Sequence, residues 1–481
     1  MLNIRPVVHL LGLLACFVSV LMCVPALADA IYHNKDWESF TAAALITGFI
    51  GIALAIAAWP KDGIKLNLRQ AFLVTALGWV TVAAIAAIPF LGLGISLTDA
   101  LFESMSGITT TGSTILTGLD HLPPGILLWR AILQWLGGIG IIAMAILMLP
   151  LMRVGGMQLF KIESSDTGEK FSASAFQMVI YLMAFYTLLT VLCALLYFMF
   201  GMSLFDAITH AMATVSTGGY STHDASFGFF KNPALHWVAT AFMAAGAIPF
   251  YLYIKAARGS PGQIFSDEQV CGFITLLVVV SLGLAGWMTW ERGISFPEAL
   301  TLTAFNVTSV VTTTGFATDD YTTWGPGGVG VFLALMYIGG CSGSTSGAIK
   351  IYRHQILYKL VRAHVKRLFS PNRVIQLTYN GAPVPDDVPY SILAFLAVFV
   401  ATIAVFTVAL SFLELDILTA YSATVTAITN VGPGLGPIIG PSGTFQPLPD
   451  AAKWILTLAM LAGRLEVLAL LVMFDRDFWR Y

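Results

Sequence analysis

Three stretches of this 481-residue chain place hydroxyl side chains directly before a glycine: Thr110-Thr111-Gly112, Ser216-Thr217-Gly218 and Thr313-Thr314-Gly315. A fourth, Asn430-Val431-Gly432, carries an amide and a valine in their place. Backbone carbonyls and hydroxyls are uncharged oxygen donors, the ligands that replace the water shell of a monovalent cation in a pore. Glycine takes positive φ freely, so the carbonyls beside it can turn to one side. A single Thr-Thr-Gly reads as a turn between helices, whereas four at matched positions read as one repeated device.

Each stretch closes a longer copy of one pattern: DALFESMSGITTTGST from Asp99, DAITHAMATVSTGGYST from Asp206, TAFNVTSVVTTTGFAT from Thr303 and TAYSATVTAITNVGPGLG from Thr419. From the opening Asp or Thr to the glycine the intervals are 112 − 99 = 13, 218 − 206 = 12, 315 − 303 = 12 and 432 − 419 = 13 residues. At 1.5 Å per residue such a helix reaches about 20 Å, too short for a hydrocarbon core of about 30 Å. The pattern therefore predicts a re-entrant half-helix followed by a loop. Asp99 and Asp206 read as helix caps, and Glu103 either attracts cations or buttresses its loop.

The elements that position these loops follow from composition. With 57% hydrophobic and 10% charged residues and a mean hydropathy of +0.82, the chain is far more apolar than a water-soluble domain. Ten apolar stretches of spanning length start near Val7, Thr41, Ala71, Gly125, Ala175, Pro233, Val270, Val329, Ser391 and Lys453. Basic residues collect in alternate connections: Arg5; Lys61, Lys65 and Arg69; Arg153, Lys161 and Lys170; Lys255 and Arg258; seven from Lys350 to Arg373; and Arg476 with Arg480. By the positive-inside rule these connections and both termini face the cytoplasm. The run from Val7 to Leu27 reads as a retained first helix, being longer than the usual core of a cleaved signal.

The fold expected is all-α and integral to a membrane. An N-terminal helix pair (1–60) precedes four helix, half-helix, loop, helix repeats, at 61–155, 156–260, 261–373 and 374–481. Two spans per repeat keep the copies in the same orientation, so their loops converge on a pseudo-four-fold axis. The five cysteines show no metal-ligand or disulfide spacing. There is no HExxH, no phosphate-binding glycine motif and no nucleophile with a plausible base, which argues against an enzyme or receptor. Nucleic acid is not an expected partner.

TTTGST, VSTGGYST, VTTTGFAT and TNVGPGLG resemble the four filter signatures of the Trk/Ktr/HKT superfamily of potassium transporters. Ten spans rather than eight are similar to its bacterial TrkH branch. The resemblance implies K⁺ as the transported ion, held by carbonyls around Gly112, Gly218, Gly315 and Gly432 and the two residues before each, with no cofactor. It also implies a bacterial inner-membrane location, a homodimer, and a separate nucleotide-sensing regulator of the TrkA type docked on the cytoplasmic side. The basic Lys350–Arg373 stretch would anchor to anionic membrane lipid or receive that regulator. A Na⁺-coupled or Na⁺-permeable member of the superfamily is the alternative, since Asn430-Val431 departs from the pattern.

Two features lie beneath the expected filter. Gly339, Gly340, Gly343, Ser344 and Gly347 interrupt an apolar span, and glycine costs about 1 kcal/mol per position inside a helix, so the helix is expected to break there. The break either permits close helix packing or forms a flexible loop; the resemblance implies an intramembrane gate. Arg464 sits in the last span, where a charge must face a wet cavity or a partner. It either pairs with Glu466 or backbone carbonyls, or projects into the cavity opposite the Gly339–Gly347 loop as a barrier to cations.

Overall fold

The computed structural model describes residues 3–60, 66–144 and 169–480. Lys61, Lys65, Arg153 and Lys161, assigned above to the cytoplasmic side, and the expected boundary at 155/156 lie outside the described residues. α1 (Arg5–Ile31) and α2 (Trp37–Ala57) form an antiparallel pair. A Cβ on Gly12 would stand 2.6 Å from the Ala55 nitrogen and one on Gly51 2.8 Å from that of Cys16, while Ser19 Oγ donates to Ala44 O at 2.7 Å. Small residues let two backbones approach this closely where no hydrophobic force separates helix from lipid.

Four units follow in chain order. The first is α3 (Leu68–Ala86), the half-helix α4 (Leu97–Ile108) and α5 (Pro124–Ala143); the second is α6 (Glu169–Met199), the half-helix α7 (Leu204–Val215), then α8 (Pro233–Gly246) and α9 (Phe250–Ala257). The third is α10 (Glu268–Arg292), the half-helix α11 (Phe296–Val311), α12 (Pro326–Leu335) and α13 (Ile351–Phe369). The fourth is α14 (Asp387–Ser411), the half-helix α15 (Ile417–Thr429), α16 (Asp450–Arg464) and α17 (Val467–Val472). The N-terminal pair is tied to the first unit by Asp29, whose Oδ1 accepts from Gly125 N at 2.6 Å.

Among the described residues seven helices are long and apolar enough to cross a membrane, and α8 with α9, bent by 90°, makes an eighth span where the pair is counted as one. The remaining two expected spans, near Val329 and Lys453, are broken helices. Pro249 explains the bend: it lacks an N–H and drives the preceding residue out of helical geometry. Between α12 and α13 the chain is non-helical, as its glycines require. After α16 the break falls at Glu466, which takes φ +56° while its carboxylate binds Arg353 Nη2 at 2.7 and 2.8 Å. Arg464 therefore ends a helix instead of lying within one.

The caps also differ from expectation. Ser96 and Ser203, not Asp99 and Asp206, occupy the cap positions, accepting from the Asp99 and Asp206 nitrogens at 3.1 and 3.0 Å. Each aspartate lies in the first turn, where the helix dipole favours a negative charge, and takes back the serine hydroxyl. Asp99 also pairs with Lys453 Nζ at 2.6 Å, joining the first unit to the fourth. If Gly12 sets the α1–α2 spacing, Gly12→Leu separates the pair and lowers the thermal stability of the purified protein in detergent by at least about 1–3 kcal/mol. Melting followed by size-exclusion recovery measures this, and an unchanged melting point refutes it.

Candidate cation filter and the loop beneath it

The four loops adopt one backbone twist. Thr110 and Gly112 take φ of +51° and +86°, Thr217 and Gly219 +51° and +79°, Thr313 and Gly315 +58° and +83°, Asn430 and Gly432 +55° and +108°. The residue between each pair returns its N–H to the carbonyl five residues back: Thr111 to Ser106 at 2.9 Å, Gly218 to Ala213 at 2.8 Å, Thr314 to Ser309 at 2.8 Å, Val431 to Thr426 at 3.1 Å. Left-handed φ is strained for a β-branched residue, and Asn is among the few side chains that visit it routinely. The sequence departure at Asn430 thus preserves the backbone.

The same comparison corrects the second loop. Its left-handed glycine, equivalent to Gly112, Gly315 and Gly432, is Gly219; Gly218 occupies the middle position held elsewhere by Thr111, Thr314 and Val431. Where the chain reads Ser-Thr-Gly-Gly, a rule of hydroxyls before glycine selects the first glycine, but the twist requires the second.

The loops close on one another in cyclic order. A Cβ on Gly112 would collide with Gly218 O, one on Gly219 with Thr314 O, one on Gly315 with Val431 O, and one on Gly432 would stand 2.7 Å from Thr111 O. Each middle carbonyl occupies the space left by the preceding loop's glycine. All four left-handed glycines line one cavity of about 260 Å³ above the ring.

Glu103 and Arg130 hold the first loop from behind. Arg130 Nε reaches Glu103 Oε1 at 2.8 Å and Nη1 donates to Ser221 O at 2.8 Å, linking the first and second loops. Glu103 Oε2 accepts from Ile115 N at 3.0 Å, and the guanidinium lies 4.0 Å from the Tyr220 ring centre. Both charges are buried, so Glu103 serves as a buttress. Higher in the cavity His223 stacks on Phe229 at 3.6 Å and pairs with Asp120 and Asp206. Burial opposes its charged form, but these carboxylates outweigh burial and hold its pKa above the ordinary histidine value.

Beneath the ring, the non-helical segment between α12 and α13 is bonded to the half-helix ends. Gly347 N donates to Thr313 Oγ1 at 2.7 Å, Ala348 N to Thr429 O at 2.9 Å, and Thr217 Oγ1 to Thr345 Oγ1 at 3.0 Å. It also fills the bend in the second unit: Cys341 N donates to Ala247 O at 2.9 Å and Gly343 O accepts from Phe250 N at 3.0 Å. Gly339 N bonds Ile349 O at 2.9 Å, Gly340 O accepts from Ile351 N at 3.1 Å, and Ser344 Oγ bonds Cys341 O at 2.6 Å. A side chain at Gly347 would strike Thr429 O.

Arg464 is 2% exposed, and none of its three guanidinium nitrogens has a hydrogen-bond partner among the described residues. With Gly347, Lys350 and Asn430 it lines a cavity of about 30 Å³. Glu466, weighed above as its partner, is bound to Arg353. Sequence reasoning missed Gly219, Thr345 and Arg130, the partner of Glu103; the doubled glycine was a usable signal, whereas contacts between units have none.

The family described as TrkH, cation transport protein, matches residues 41–266 and 292–481. The Trk system potassium uptake protein TrkI of Halomonas elongata is 43% identical, over 99% of this chain and 97% of its own length. TrkH of Escherichia coli K12 is 35% identical over the whole of both chains. The crystal structure of the potassium transporter TrkH from Vibrio parahaemolyticus superposes with a TM-score of 0.91 at 32% identity, covering both chains fully. This chain belongs to the TrkH family of membrane cation transporters.

Proposed function

We propose that this chain takes up potassium ions across the bacterial inner membrane, through the ring formed by Thr110, Thr111, Gly112, Ser216, Thr217, Gly218, Gly219, Thr313, Thr314, Gly315, Asn430, Val431 and Gly432. The observation that carries this reading is the cyclic packing of four equally twisted loops under one cavity. The ring offers neutral oxygens, and four half-helix C-termini end at it, each with a partial negative charge that favours a cation. No covalent step is involved. The relatives' shared designation as Trk system potassium uptake proteins supports the choice of ion.

The four units at 61–155, 156–260, 261–373 and 374–481 are the pore repeats around a pseudo-four-fold axis, with 1–60 as an accessory pair. Both termini face the cytoplasm. The chain works as a homodimer with a cytoplasmic nucleotide-sensing regulator of the TrkA type. Supporting this, α13 carries Arg362, Lys366 and Arg367 beside exposed Tyr358, Val361, Leu368 and Phe369, a surface for that regulator or for anionic lipid. Gly339, Gly340, Gly343, Ser344, Gly347 and Arg464 form the gate: the loop narrows the path, and the unpartnered guanidinium repels the ion.

Two outcomes are expected in liposomes holding the purified protein. Gly315→Ala, which puts a Cβ at φ +83° against Val431 O, lowers K⁺ flux or the K⁺/Na⁺ ratio by about tenfold or more, as a penalty of 1–2 kcal/mol per strained residue requires. Gly330→Ala, where the added Cβ meets open space, changes neither; equal effects from both would sink the filter reading. Arg464→Ala raises flux several-fold and leaves the K⁺/Na⁺ ratio intact. Unchanged flux from a folded variant would remove Arg464 from the gate.

A further inference from the structure

Gln134 of α5 is fully buried and reaches the second loop from the preceding unit. Its Nε2 donates to Gly218 O and its Oε1 accepts from Tyr220 N at 3.0 Å, so one amide grips the loop on either side of Gly219. The other loops are stiffened by their own side chains. Thr109 and Thr111 share a hydroxyl bond of 2.7 Å, Thr312 and Thr314 another of 2.7 Å, and Asn430 Nδ2 binds Thr111 Oγ1 at 2.9 Å and Met460 O at 3.1 Å. The second loop has no such pair: Gly218 lacks a side chain, and Ser216 Oγ turns to Ala213 O at 3.2 Å.

The vacancy and the glutamine coincide. A Cβ on Gly218 would stand 2.6 Å from Gln134 Oε1 and 2.9 Å from Gln134 Cβ. Unlike Gly219, Gly218 is absent from the left-handed φ positions, so its glycine is demanded by the space Gln134 takes and not by backbone strain.

We infer that Gln134 is a specificity-determining positioning residue: supplied from α5, its amide stands in for the side chain missing at Gly218 and fixes the second loop's share of the ring, and with it the preference for K⁺ over the smaller Na⁺. This rests on the filter reading above. A ring that holds its oxygens at a set spacing disfavours the smaller ion; a loop released from Gln134 closes around it.

The test compares K⁺ and Na⁺ flux in liposomes for wild type, Gln134→Ala, Gly218→Thr and the double variant. Gln134→Ala is expected to lower the K⁺/Na⁺ ratio about tenfold, read on the fraction that elutes as folded protein. Gly218→Thr alone also lowers the ratio, because threonine and Gln134 compete for one space. The double variant restores most of it, since the threonine then faces Ser216 as Thr111 faces Thr109. Gln134→Glu keeps the volume and the acceptor but, ionised, offers Gly218 O no donor, and is expected to lose the ratio as well. A wild type with no K⁺ preference refutes the filter reading itself. A K⁺-preferring wild type with an unchanged ratio in Gln134→Ala and Gln134→Glu, or a double variant no better than either single, overturns the role of Gln134 alone; so does misfolding of Gln134→Ala that Gly218→Thr does not repair.

Discussion

Everything central to this molecule depends on four glycine α-carbons having nothing attached. Gly112, Gly219, Gly315 and Gly432 are required twice over: each carries positive φ, and each leaves the volume into which the neighbouring loop's carbonyl fits. The twist that produces this also forces threonine into left-handed geometry at positions 110, 217 and 313, at roughly 1–3 kcal/mol apiece. Such strain persists only where the surroundings over-determine it. Here they do so from three directions: the return hydrogen bond into the half-helix, the Glu103–Arg130 pair behind the first two loops, and the Gly339–Gly347 segment bonded to Thr313 and Thr429 below.

The four units share one backbone and differ in how each keeps it. Two loops stiffen themselves with threonine pairs, the fourth uses Asn430 to reach the first loop and α16, and the second borrows from α5. Supports that cross between units make the ring cooperative, because loosening one loop removes a wall from the next. The breaks in the lower helices follow the same logic. The 90° bend at Pro249 frees the Gly246 and Ala247 carbonyls, and the third unit's glycine segment donates to them through the backbone N–H groups of Thr345 and Cys341.

The half-helices, the order of the units and the break at Gly339–Gly347 were legible because each is written locally, in segment length, repetition and glycine content. The register of the second loop was not, since two adjacent glycines read alike in sequence, and only the fold gives Gly219 its left-handed φ and sets Gly218 against Gln134. The bend at Pro249 had a local signal in the proline itself. The break at Glu466 had none: no glycine or proline stands there, and its geometry is tied to a carboxylate bound by Arg353, more than a hundred residues earlier in the chain. The caps at Ser96 and Ser203 were displaced by one turn because serine and aspartate are both good cap residues, and only the direction of the hydrogen bonds separates them.

On the proposed gate reading, the segment and the arginine beside the lower cavity contribute in different ways. The Gly339–Gly347 segment and the adjoining Ala348 are bonded to the undersides of three loops and to the bend at Pro249, so moving the segment means breaking several hydrogen bonds at about 1 kcal/mol each. Arg464 has no such bonds to break. At an effective dielectric of about 20, a cation about 6 Å from its guanidinium meets at most ~3 kcal/mol of repulsion, and less where water screens it. A charge buried without protein partners is unfavourable, so on the same reading a widening of the cavity that admits water would favour Arg464. On the proposed reading the loop supplies the cost of opening and the arginine supplies part of the drive, which is why the two belong at the same depth.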